Sequence, residues 1–129
     1  HTAGRGRTTP MLRPFTAIAL LLALTFSALA EDCYVTEFRD LALVPTDGAQ
    51  IAVEPRLADQ KITLGAATAS AAFNNNSRII RVHCTAGCSV NFGTAPVATT
   101  SMLRIPSGGV EYFGVPAASS YKLSVVSNP

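Results

Sequence analysis

The stretch Arg78–Phe92, RIIRVHCTAGCSVNF, decides the fold. On an extended chain successive side chains point to opposite faces. Ile80, Val82 and Cys84 then share one face, and Ile79, Arg81 and His83 share the other. After Thr85-Ala86-Gly87 the alternation resumes, with Cys88, Val90 and Phe92 aligned. Two period-2 runs separated by three residues ending in Gly predict a β-hairpin.

Working outward, the same grammar repeats. Cys33–Phe38 is β-branched and aromatic, with polar residues interleaved. Leu41–Val44 closes on Pro45-Thr46-Asp47-Gly48, a turn sequence, and Ile51–Val53 ends at Pro55. Gln60–Leu64 alternates and stops at Gly65; the small residues Ala66–Ala72 read as strand or extended loop, and Asn74-Asn75-Asn76 as a turn. Downstream, Met102–Ile105, Glu111–Val115 and Tyr121–Val126 are strands, set apart by Pro106-Ser107-Gly108-Gly109 and by Pro116–Ser120. No amphipathic helix of ten or more residues follows residue 30. About eight short strands punctuated by Gly, Pro and Asn predict an all-β fold, a small β-sandwich or a jelly-roll-like barrel. The predicted core is Tyr34, Phe38, Ile62, Leu64, Ile80, Val82, Val90, Phe92, Leu103, Ile105, Phe113, Val115, Leu123 and Val125.

The N-terminal segment differs. Of 129 residues with a net charge of +2, the first thirty hold Arg5, Arg7 and Arg13 and no acid. After Met11 and Arg13, an uncharged run from Pro14 ends in Ala28-Leu29-Ala30, the layout of a secretory signal peptide with cleavage before Glu31. An uncleaved membrane anchor is the second reading, and upstream read-through ahead of a start near Leu29 the third. Residues 1–30 are therefore set apart as tag or read-through plus a signal-like segment, and residues 31–129 as one β-sandwich domain. That domain carries seven basic residues against all eight acidic ones, a net charge of −1, which speaks against nucleic-acid binding.

The three cysteines cannot all pair within one chain. Cys84 and Cys88 flank the three-residue loop and can form a disulfide or sit as small buried hydrophobes; with a disulfide, Cys33 is left buried or pairs between chains. A zinc site using His83 is rejected, because His83 and Cys84 point to opposite faces and no second ligand pair exists. No cofactor is expected. The chain lacks a G-x-S-x-G nucleophile motif and a phosphate loop, so a non-enzymatic role is expected. Tyr112, opposite in parity to Phe113, is placed outward, and Tyr112, His83 and Arg81 are the candidate interface residues.

CYVTEF at 33–38 and SRIIRVHCTAGCSVNFGTAPVATTSMLRIPSGGVEYFGVPAASSYKLSVV at 77–126 resemble small virion structural proteins of tailed bacteriophages and prophages. The resemblance runs from Cys33 onward, about three-quarters of the chain, and carries no catalytic motif. It implies a β-sandwich subunit of a capsid or tail surface, contacts with other virion proteins, a homo-oligomer with a trimer favoured, and assembly in the cytoplasm. The alternative, resting on the signal-like segment, is an exported periplasmic or extracellular module for adhesion or carbohydrate binding. Contact with a membrane is expected only through an uncleaved N-terminal segment.

Overall fold

The computed structural model describes residues 2–4, 29–43 and 50–129. Residues 11–28 of the signal-like segment and the Pro45–Gly48 turn fall outside these residues. The described chain is all-β, with ten strands and no helix. In chain order they are β1 (Asp32–Phe38), β2 (Leu41–Leu43), β3 (Gln50–Ala52), β4 (Ala58–Thr63) and β5 (Thr68–Ala69), then β6 (Ile79–Cys84), β7 (Cys88–Gly93), β8 (Leu103–Ile105), β9 (Val110–Gly114) and β10 (Lys122–Ser127).

Two four-stranded antiparallel sheets form a sandwich. The first has the order β4-β1-β6-β9 and the second β5-β10-β7-β8, while β2 and β3 pair as a separate ribbon. The sheets remain separate, as in a small β-sandwich. The chain changes sheet at β4–β5, β5–β6, β6–β7, β8–β9 and β9–β10. This overturns the hairpin expected for residues 78–92. β6 pairs with β1 and β9, and β7 with β10 and β8, so Thr85-Ala86-Gly87 is an arch between sheets. The loop chemistry is that of a hairpin, but each strand has two apolar-compatible partners elsewhere, and crossing lets both apolar faces meet across the core.

Gly87 sits in the arch because the chain's last residues press against it. A Cβ there would collide with the Asn128 carbonyl and lie 3.1 Å from Pro129 Cα. The Asn128 N–H donates to the Gly87 carbonyl at 2.8 Å.

The core lies between the sheets. Cys33, Val35, Ile62, Ile80, Val82 and Cys84 fill it from the first sheet, and Cys88, Val90, Ile105, Leu123 and Val125 from the second. Each large aliphatic side chain buried here contributes roughly 1.5–3 kcal/mol. Phe73, Phe92 and Phe113 pack in tilted succession at its border, with ring centroids 6.3 and 4.8 Å apart. Most expected core residues lie in or against this core, with two corrections. Tyr34 is 40% exposed and Leu103 56% exposed. In β1 the inward positions are 33, 35 and 37, so the smaller Cys33 and Val35 are buried while Tyr34 faces out; Leu103 lies on an edge strand of the second sheet.

Glu37 occupies an inward position and is 1% exposed. Its Oε2 accepts from the Asn74 N–H at 2.7 Å and the Ser77 hydroxyl at 2.5 Å, and its Oε1 from Gln60 Nε2 at 3.0 Å. Gln60 Oε1 in turn accepts from the Ala71 N–H at 2.9 Å. A buried carboxylate needs such donors to offset its lost hydration. Here they tie the 71–77 segment to the first sheet.

Candidate functional site

A sandwich has two outer faces, and these two differ. The outer face of the second sheet is closed by its own chain. The Ala98 N–H donates to Ser124 Oγ at 2.9 Å, Asn91 Nδ2 to the Val97 carbonyl at 3.1 Å and Asn128 Nδ2 to the Thr100 carbonyl at 3.0 Å. The segment between β7 and β8 therefore lies across the sheet. Beneath it Ser89 and Ser124, polar residues on the outward parity, are buried to 0% and 1% exposure.

Among the described residues, the outer face of the first sheet is open. Strand register builds it in two rows. One runs Lys61, Tyr34, His83, Val110 across β4, β1, β6 and β9, and the next runs Asp59, Thr36, Arg81, Tyr112. Side chains paired across antiparallel strands lie close enough to interact. The Tyr34 and His83 rings stack with centroids 6.1 Å apart and planes 21° from parallel. Lys61 Nζ lies 6.0 Å from the Tyr34 centroid and 2.9 Å from Asp32 Oδ2. Its hydrogen bond to Asp32 raises its pKa.

In the second row a cleft of about 420 Å³ opens, floored by Thr36 and Phe38, with Arg81 and Tyr112 on one side and Arg56 and Asp59 on the other. Arg56 is held by Asp59 and Glu54, and its hydrogen bond to Asp59 keeps that carboxyl below the usual carboxylate range. Arg81 makes no ion pair with any described residue. Tyr112 is 54% exposed.

The structure thus brings Arg81, His83 and Tyr112 onto one face, with Arg81 and Tyr112 directly opposite each other. Sequence reasoning missed Tyr34, the centre of the first row. The signal was its parity relative to Cys33 and Val35, masked by the assumption that a large ring belongs inside.

The cysteines lie on the other side of this sheet, facing the core. Cys84 and Cys88 are joined by a disulfide that links the two sheets. Cys33 is a free, buried thiol, its pKa pushed up to about 12 by burial. The three Sγ atoms lie within 4.8 Å of one another and could hold a soft metal ion only once the disulfide is reduced. A metal bound by three thiolates would bring net negative charge into an apolar interior. His83, on the opposite face, does not join them.

Among the described residues, no helix is long and apolar enough to cross a membrane. No family model, no curated protein and no solved structure matches this chain.

Proposed function

We propose that the chain is a non-enzymatic interaction module whose contact surface is the open face of the β4-β1-β6-β9 sheet. On the sequence resemblance, its setting is a phage or prophage virion, where it serves as a capsid-decorating or tail-associated subunit. Its partners are other virion proteins and further copies of itself.

One observation carries the reading. Among the described residues, the chain covers one outer face with its own loop and leaves the other bare. On that bare face stand Tyr34, His83, Arg81 and Tyr112 in adjacent rows. Tyr and Arg are the residues that anchor protein interfaces, combining large apolar area with directed hydrogen bonds.

The test is binding of the purified chain to virion particles, with light scattering for its own assembly. A trimer or larger oligomer is expected, and Tyr112→Ala with Arg81→Ala should weaken particle binding at least tenfold. A monodisperse monomer at high concentration that binds no particle overturns the reading.

A second reading, an exported adhesion or carbohydrate-binding module, is favoured by the Cys84–Cys88 disulfide, since such bonds persist in oxidising compartments. Under it the natural protein begins at Glu31 and binds glycans through the Tyr112 cleft. Intact mass of the natural product and a glycan array separate the two readings.

A further inference from the structure

We infer that Cys84 is the shared sulfur of two alternative disulfides, its bond to Cys88 exchanging with a bond to Cys33 inside the folded sandwich. The inference is independent of the binding surface, which lies on the opposite side of the sheet.

The geometry is a consequence of register. Cys33 and Cys84 are direct partners across β1 and β6. The preceding pair is hydrogen-bonded, the Thr85 N–H donating to the Asp32 carbonyl at 2.8 Å. Pairs alternate along an antiparallel ladder, so Cys33 and Cys84 occupy a non-hydrogen-bonded site, where facing side chains approach most closely. Facing Cα atoms at such sites lie roughly 4.5 Å apart, within the span that a disulfide bridges. The two sulfurs lie 3.0 Å apart, and all three cysteines are fully buried. The core thus holds a thiol in contact with one end of a disulfide, the proximity on which thiol–disulfide exchange depends.

The step is an isomerisation. The Cys33 thiolate attacks Cys84 Sγ, and the Cys33–Cys84 bond forms as the Cys84–Cys88 bond breaks. Cys88 departs as a thiolate and takes up the proton released by Cys33. No electrons enter or leave the chain. The cross-link moves from between the sheets to within the first sheet, and its sequence separation grows from 4 to 51 residues. The 85–87 arch is then held only by packing and hydrogen bonds. Burial keeps the Cys33 thiolate scarce at neutral pH, so exchange proceeds slowly there.

Peptide mapping reads the two isomers directly. The full chain is held for a day in a mixed oxidised and reduced glutathione buffer, quenched with acid, unfolded in urea, alkylated and digested with trypsin. Cleavage after Arg81 and Arg104 keeps Cys84 and Cys88 on one peptide, and Cys33 lies on another that ends at Arg39. The Cys84–Cys88 isomer gives an internally closed 82–104 peptide with Cys33 alkylated. The exchanged isomer gives the two peptides joined, with Cys88 alkylated.

Both forms are expected from the wild-type monomer. Absence of the joined form, or a joined form alkylated on Cys84, overturns the inference. Cys88→Ala isolates the second pairing. Oxidised with glutathione disulfide and checked for β-structure by circular dichroism, it should form the Cys33–Cys84 bond within the monomer, at least tenfold over disulfide-linked dimers. A folded Cys88→Ala chain that keeps both thiols free, or links only between chains, also overturns the inference.

Discussion

Replacing Glu37 measures what a buried charge does for this sandwich. Its carboxylate takes three donors, from Asn74, Ser77 and Gln60, and enters no ion pair among the described residues. In Glu37→Gln the side chain keeps its shape. Its carbonyl oxygen can still receive Ser77 and Asn74, but its amide nitrogen then faces Gln60 Nε2, donor against donor. Gln60 cannot turn over to help, because its oxygen already holds the Ala71 N–H. One hydrogen bond is lost and two pass from a charged to a neutral acceptor, at about 1 kcal/mol each. Relief of the carboxylate's desolvation offsets part of this, leaving a net loss of about 2 kcal/mol. Glu37→Ala orphans all three donors and opens a cavity, and should cost about 4 kcal/mol. Urea unfolding followed by circular dichroism reads both, with the slope against denaturant unchanged. For a domain this size the Gln variant should melt about 10 °C lower. A Glu37→Gln chain within about 0.5 kcal/mol of the parent would refute the reasoning, since ordinary surface substitutions fall in that range.

Gly87→Ala should lose about 1–3 kcal/mol in urea unfolding, because the added Cβ collides with the Asn128 carbonyl and the tail must shift. Ala118 holds a left-handed backbone at φ 49°, so Ala118→Gly should gain about 0.5–1 kcal/mol in the same measurement. Cys33 in the folded chain should resist iodoacetamide at pH 8 and react readily in urea, since the folded thiol keeps its proton up to about 12. The unfolded thiol releases that proton near 9.0. The stability linked to Cys33 is therefore present in full below pH 9.0 and is lost as the pH climbs from there towards about 12, which unfolding curves across that window would detect.

Alternation made much of the fold legible. Ile80, Val82 and Cys84 on β6, Val90 on β7, and Leu123 and Val125 on β10 are inward as their parity implies. The outward parity of Arg81, His83 and Tyr112 was equally readable. Partner choice was not, because it is non-local. Thr85-Ala86-Gly87 can turn back on its own sheet or cross to another, and only the demands of β1, β9, β8 and β10 decide between them. β1 was misread because size outweighed parity, with Tyr34 favoured over Cys33 and Val35. Glu37 was invisible for the opposite reason. A carboxylate on an inward position is stable only because Asn74, Ser77 and Gln60 come to it, and nothing near it in sequence announces them.

The place of β10 in the second sheet bears on how the protein is made. β10 sits between β5 and β7, and Thr68 finds its partner only in Val125. As the chain leaves the ribosome, β5 emerges well before the strand it must pair with. Until residues 122–127 are synthesised, the second sheet can exist only as the β7–β8 pair, and the apolar face of the first sheet, Ile80 and Val82 included, lacks much of its cover. Long-range strand pairing of this kind is slow and leaves sticky intermediates. A ribosome stalled before residue 122 therefore holds an aggregation-prone half-sandwich, and the completed fold arrives in one late cooperative step.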